Sequence, residues 1–200
     1  MNNKTNAIVM LSGEGTTFQS LVDKCKYVNV VGVISSNPDA NGIARAHKAG
    51  IPFKVVNQTS SNFNNDLIQS VSKLVISNEY TKFIVLAGFM KILPPTFIKF
   101  CSDAGIDIIN IHPSLLPNHK GLNTHKRVLD SGDTVHGMTI HYVTDKLDDG
   151  PIIYQNSFPV RETDTEKSLN TQVKYMEQLY YPKVLDDIAI GSMTLYSPQQ

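Results

Sequence analysis

Five apolar runs of strand length alternate with stretches of helical periodicity over the first 111 residues, and this alternation most limits what the chain can fold into. The runs lie at residues 7–11, 28–35, 53–56, 83–87 and 106–111. Unbroken apolarity over so short a length marks a strand buried on both faces, as in a parallel sheet flanked by helices. Helices are expected at 17–26, 42–48 and 65–77, with a further short one that Pro94-Pro95 opens and that runs through Phe100. In the first, Phe18, Leu21, Val22 and Cys25 fall at i, i+3, i+4 and i+7. The run at 83–87 is expected at the sheet centre, and Pro113 ends the fifth strand.

A long irregular segment is expected after Pro113. Residues 137–143 and 152–160 then read as two strands joined by the polar connection 144–150, a hairpin-like and antiparallel addition to the sheet. Residues 165–190 read as one long helix that Pro182 could break, with Leu169, Val173, Met176, Leu179 and Tyr180 facing the sheet, and residues 197–200 read as a frayed end. The fold class is α/β, an open and mostly parallel sheet with an antiparallel C-terminal hairpin and helices on both faces.

The 200 residues suit a single domain, 1–200, at roughly 100–200 residues per domain. Eighteen Lys and Arg balance 18 Asp and Glu, so no long-range field recruits a polyanion; neither nucleic acid nor a membrane surface is expected as partner. Small molecules are. The two cysteines, Cys25 and Cys101, stand apart and fit neither a zinc motif nor a disulfide scaffold, which places the chain in a reducing, cytoplasmic setting. The apolar run before Ser12-Gly13 is too short for a signal peptide or a membrane span.

Ser12-Gly13-Glu14-Gly15-Thr16-Thr17 joins the first strand to the first helix, where main-chain N–H groups and the helix dipole favour an anion. No arginine is adjacent to this turn in sequence, and none is expected beside it, so amides and the Thr16 and Thr17 hydroxyls would hold a phosphate. The dinucleotide pattern G-x-G-x-x-G is absent, because Phe18 stands where its third glycine would fall. A tight βα turn with Thr16 as helix N-cap accounts for the same residues.

Asn110-Ile111-His112-Pro113 carries more chemistry. Residues two apart on a strand share a face, so Asn110 and His112 project together at the strand's carboxyl end, where open α/β sheets bind ligands. An amide N–H and an imidazolium together suit a carbonyl that develops negative charge. Asp145, Asp148 and Asp149, on the 144–150 connection, are candidates to favour the charged imidazole. Five of the six histidines fall between His112 and His141, which raises a metal centre as an alternative. Their spacing argues against it: there is no H-x-x-x-H pair, and His136 and His141 lie on opposite faces of a strand. No metal is expected.

These segments resemble the folate-dependent formyltransferases, in particular the branch that formylates glycinamide ribonucleotide. The resemblance rests on residues 12–19, on Leu86-Ala87-Gly88-Phe89-Met90, on Asn110-Ile111-His112-Pro113-Ser114-Leu115-Leu116-Pro117, on Gly121-Leu122-Asn123-Thr124-His125 and on residues 143–152. It implies a Rossmann-like open twisted sheet and 10-formyltetrahydrofolate as co-substrate. Asn110, His112 and Asp148 would be catalytic. Gly15, Thr16, Thr17, Phe18, Met90 and Glu177 would bind the ribonucleotide. Met90, Lys91, Ile92, Leu93, Asn110, Thr144, Asp145 and Asp148 would bind the folate. A monomer or homodimer is expected.

The chain departs from the family pattern in places. Thr16-Thr17 replaces Ser-Asn, and Asp149 replaces a glycine where a positive φ would be costly for it. His119-Lys120 replaces an aromatic-Pro pair, and no basic residue near 62–66 matches the family's partner for the folate tail. Two other readings remain open. One is a formyltetrahydrofolate hydrolase, whose extra N-terminal domain finds no room before Ala7; the other is a non-catalytic phosphate- or nucleotide-binding module.

Overall fold

The computed structural model describes residues 4–57 and 59–193, so the end expected to fray at 197–200 lies outside the described residues. Its strands are β1 (Thr5–Leu11), β2 (Val28–Ser35), β3 (Phe53–Val55), β4 (Thr81–Leu86), β5 (Asp107–His112), β6 (Val135–Tyr142) and β7 (Ile152–Pro159). Its helices are α1 (Thr16–Lys24), α2 (Asn41–Lys48), α3 (Phe63–Ser77), α4 (Pro95–Asp103), α5 (Thr124–Ser131) and α6 (Glu166–Ala189). The strands form one sheet in the order β3-β2-β1-β4-β5-β6-β7, with β4 at the centre as the sequence suggests. Pairing is parallel from β3 to β5 and antiparallel across β5-β6 and β6-β7.

Alternation of side chains across the sheet builds two apolar layers. Ala7, Val9, Leu11, Val85, Ile109 and Ile111 pack on one side with Phe18, Leu21, Val173 and Tyr181; Ile8, Met10, Ile84, Leu86 and Ile108 pack on the other with Leu67, Val71 and Phe97. Strand order reverses between β1 and β4, and the carboxyl ends of β1, β4 and β5 open there into one crevice.

The irregular segment expected after Pro113 contains α5. This helix buries only Thr124 and Val128, so it carries no apolar period to read. Pro182 does not break α6. A proline inside a helix leaves the carbonyl four residues earlier without its donor, and here Lys24 Nζ donates to Gln178 O at 3.0 Å. The α6 face toward the sheet also differs from expectation: Leu179 is 44% exposed, whereas Tyr181 is fully buried and donates its hydroxyl to Ile109 O at 2.9 Å and Leu86 O at 3.2 Å. Among the described residues no helix is long and apolar enough to cross a membrane.

Candidate active site

The crevice is a cavity of about 950 Å³. It is lined by the α1 turn, residues 86–93, the end of β5, residues 121–126, the loop 143–148 and the inner face of α6. At one end Gly15 occupies the N-cap position of α1 with φ 69°, and no side chain caps the helix; Thr16 is the first helical residue, not the cap. The first-turn N–H groups of Thr16, Thr17 and Phe18 are those a helix leaves without internal partners. A Cβ on Gly15 would lie 2.6 Å from Gly42 Cα, so both backbone conformation and close approach require glycine there. The Phe18 side chain is buried in the core, and its main chain alone belongs to the turn.

Arg45 corrects one expectation. Remote in sequence, it reaches the turn from α2 and donates Nε to Glu14 O at 2.8 Å, so the turn has a guanidinium against it after all. On α6, Glu177 Oε2 accepts from the Thr17 hydroxyl at 3.1 Å. Burial pushes the Glu177 carboxyl up to about 7, partly offset by the Thr17 bond and by Lys174. Lys174 and Asn170, about one and two helical turns before Glu177 on α6, also line the cavity and were not singled out from sequence.

At the centre, β5 presents Asn110 and His112 on one face as expected. Antiparallel register sets His141 of β6 opposite Asn110 and Thr139 opposite His112. His141 Nδ1–H donates to Tyr142 O at 2.9 Å, so its Nε2 accepts from Asn110 Nδ2 at 3.1 Å. Burial lowers the His141 pKa, which keeps this acceptor neutral. One Asn110 N–H is thereby committed and the other left for a ligand. His112 Nε2 donates to His119 O at 3.0 Å, and its Nδ1 lies 3.4 Å from Asp148 Oδ2. The His112 and Asp148 side chains are 6% and 9% exposed, and Gly121 N–H donates to Asp148 Oδ2 at 2.8 Å.

The 143–150 connection brings Asp148 inward while Asp145 and Asp149 remain exposed. The positive φ in this loop belongs to Asp148, at 47°, and not to Asp149, so replacing glycine by Asp149 does not incur the strain expected from sequence. Asp149 pairs with Lys120. Glycine is required one residue later, since a Cβ on Gly150 would lie 1.8 Å from Tyr142 O.

The remaining wall is apolar. Met90, Ile92, Leu122 and Leu147 are exposed on the protein yet line the cavity, and Lys91, Leu93, Thr144 and Asp145 complete this end. Met90 N–H donates to Ser12 Oγ at 2.9 Å, tying this segment to the α1 turn. His125 and His136 pair with each other at 2.9 Å, and burial lowers both, His136 to about 4. Among the described residues no group of three or more His, Cys, Asp or Glu is placed to hold a metal ion.

A switch-point crevice lined by an uncapped helix N-terminus, by an amide, an imidazole and a carboxylate, and by an apolar wall is suited to group transfer. The chain belongs to the Formyl transferase family, whose model matches residues 5–185; it is an enzyme of the transferase class. Within the family it is similar to phosphoribosylglycinamide formyltransferase of Escherichia coli (strain K12), 35% identical over 199 residues that span 96% of this chain and 90% of that one. It is 37% identical over 196 residues to the trifunctional purine biosynthetic protein adenosine-3 of Bos taurus, covering 96% of this chain and 19% of that protein. The crystal structure of phosphoribosylglycinamide formyltransferase from Coxiella burnetii superposes with a TM-score of 0.85 at 38% identity, over 98% of this chain and 92% of that chain.

Proposed function

We propose that this chain, as one catalytic domain, transfers the formyl group of 10-formyltetrahydrofolate to the amine of N1-(5-phosphoribosyl)glycinamide in purine biosynthesis. The N-formyl ribonucleotide and tetrahydrofolate are the products. The observation that carries the reading is the His112–Asp148 pair beside Asn110, in one cavity with an uncapped helix N-terminus and an apolar wall. About 950 Å³ lies near the upper end of the roughly 300–1,000 Å³ common for small-molecule sites, which suits two substrates of moderate size meeting at their reactive ends.

The first-turn amides of Thr16, Thr17 and Phe18, beginning after Gly15, hold the phosphate, with Lys174 as a nearby cation. Glu177 accepts from ribose hydroxyls, and the Met90 main chain lies near the amine. Met90, Lys91, Ile92 and Leu93 line the folate slot, closed by Thr144, Asp145 and Asp148. As the amine nitrogen bonds to the formyl carbon, the free N–H of Asn110 and the His112 Nδ1–H donate to the developing oxyanion. Asp148 stabilises the imidazolium. The C–N10 bond then breaks, and the proton lost by the amine ends on N10.

The reading is tested by turnover with both substrates in His112→Ala, Asp148→Asn and Asn110→Ala. Each should lose on the order of 100-fold or more in kcat with the fold intact. Near wild-type turnover in His112→Ala or Asp148→Asn contradicts the assignment.

A further inference from the structure

Residues 119–121 touch both members of the His112–Asp148 pair through the main chain alone: His119 O accepts from His112 Nε2 at 3.0 Å, and Gly121 N–H donates to Asp148 Oδ2 at 2.8 Å. Besides Ser114 Oγ, which lies 2.8 Å from Asn118 O and 3.3 Å from His119 O, two side-chain ties hold this stretch from outside the cavity. His119 Nε2 donates to Asp133 Oδ2 at 2.6 Å, and Lys120 pairs with Asp149. A third bond, from Arg127 Nη1, reaches Lys120 O. Neither His119 nor Asp133 lines the cavity.

His119 holds φ 54°, a left-handed conformation that a non-glycine residue keeps only where its surroundings over-determine it. That conformation turns its carbonyl onto the His112 ring. A carbonyl can only accept, so it demands a proton on Nε2 and leaves Nδ1 as the nitrogen that faces Asp148. The His119 bond holds the Asp133 carboxyl below its ordinary value, so Asp133 is the acceptor at neutral pH.

We infer that His119 is a positioning residue for the proposed formyl transfer: its bond to Asp133 pins the turn whose carbonyl takes the His112 Nε2–H and so fixes the orientation of that ring, with Nδ1 toward Asp148. The inference rests on the reading of His112 and Asp148 given above. A tie of purely structural value lowers stability and leaves kcat alone. A positioning tie lowers kcat and leaves KM for both substrates nearly unchanged, because neither partner touches them.

The test compares the full chain with His119→Ala, Asp133→Ala, the double variant and His119→Gln, whose amide can still donate to Asp133. Both alanine variants should lose on the order of 10–100-fold in kcat, with each KM within about twofold. The double variant should fall no further than the weaker single, as expected for two residues acting as one unit. His119→Gln should recover most of the loss. The ¹⁵N shifts of the His112 ring, recorded where it is neutral, should report the Nε2–H form in the wild type and a tautomer mixture in His119→Ala.

Wild-type kcat in a folded His119→Ala, or additive losses with no rescue by His119→Gln, overturns the inference. If His119→Ala does not fold, Asp133→Ala, at a side chain 38% exposed, carries the same test. His112→Ala run in parallel separates the two claims. If it stays active, the site reading fails; if it is inactive while His119→Ala turns over normally, only the positioning role fails.

Discussion

Asn110 gives one amide N–H to His141 Nε2 at 3.1 Å, and that bond decides which end of the amide faces the cavity. His141 can accept because its own Nδ1–H is spent on Tyr142 O at 2.9 Å. The amide is thus held with a donor turned toward the ligand before any substrate arrives.

Removing that acceptor should let Asn110 flip. We predict that His141→Ala lowers kcat on the order of 10–100-fold with the fold retained, since losing one aligned oxyanion donor costs about 100- to 1,000-fold and a flipping amide is aligned part of the time. His141→Gln, which can still accept through its carbonyl, should lose less. Steady-state kcat for the two variants checks this, and equal losses would count against the orienting role.

The legible and illegible parts of this site divide along one physical line. Asn110 and His112 could be paired from sequence because a strand repeats every two residues, and the α1 turn because strand, glycines and helix follow one another. His141 could not be paired with Asn110, since their meeting depends on antiparallel register across β5 and β6. Arg45 reaches the turn only because α2 packs against Gly15, and Lys24 rescues Pro182 from a different helix. The helix α5 was missed because its residues are almost all polar and its burial is slight. Local periodicity was readable; contacts set by tertiary register were not.

Glu177 makes a pH prediction with a definite sign. Its carboxyl is raised to about 7 from the ordinary 4.5, so the folded protein binds a proton that the unfolded chain has released between these values. Stability therefore falls as pH rises from about 4.5 through 7, and the penalty is complete above 7. Glu177→Gln should be more stable than the wild type by about 1–3 kcal/mol at pH 8 and no more stable at pH 4, read by denaturant unfolding at the two pH values. If the gain is the same at both, the carboxyl is not titrating as stated.

Asp186 serves the fold and not the site. On α6, 8% exposed, it accepts main-chain N–H bonds from Lys26 at 2.7 Å, Tyr27 at 2.8 Å and Val28 at 3.0 Å. It thereby anchors the start of β2. Asp186→Ala would strand these donors, and we predict a loss of about 3 kcal/mol or more, visible as a fall in Tm of roughly 6–12 °C. Residual activity per folded molecule should stay near wild type. A Tm within two or three degrees of the parent would show the three donors finding other acceptors.

The central claim is transfer of a formyl group to an amine, and the dependence of folate release on that amine tests it most directly. The protein is incubated with 10-formyltetrahydrofolate, with and without N1-(5-phosphoribosyl)glycinamide, and tetrahydrofolate formation is followed. The account predicts rapid release only when the ribonucleotide is present, with one N-formyl product for each tetrahydrofolate. Release at the same rate without the amine would contradict it and mark the same residues as a hydrolase; no release in either case would reduce the cavity to a binding site.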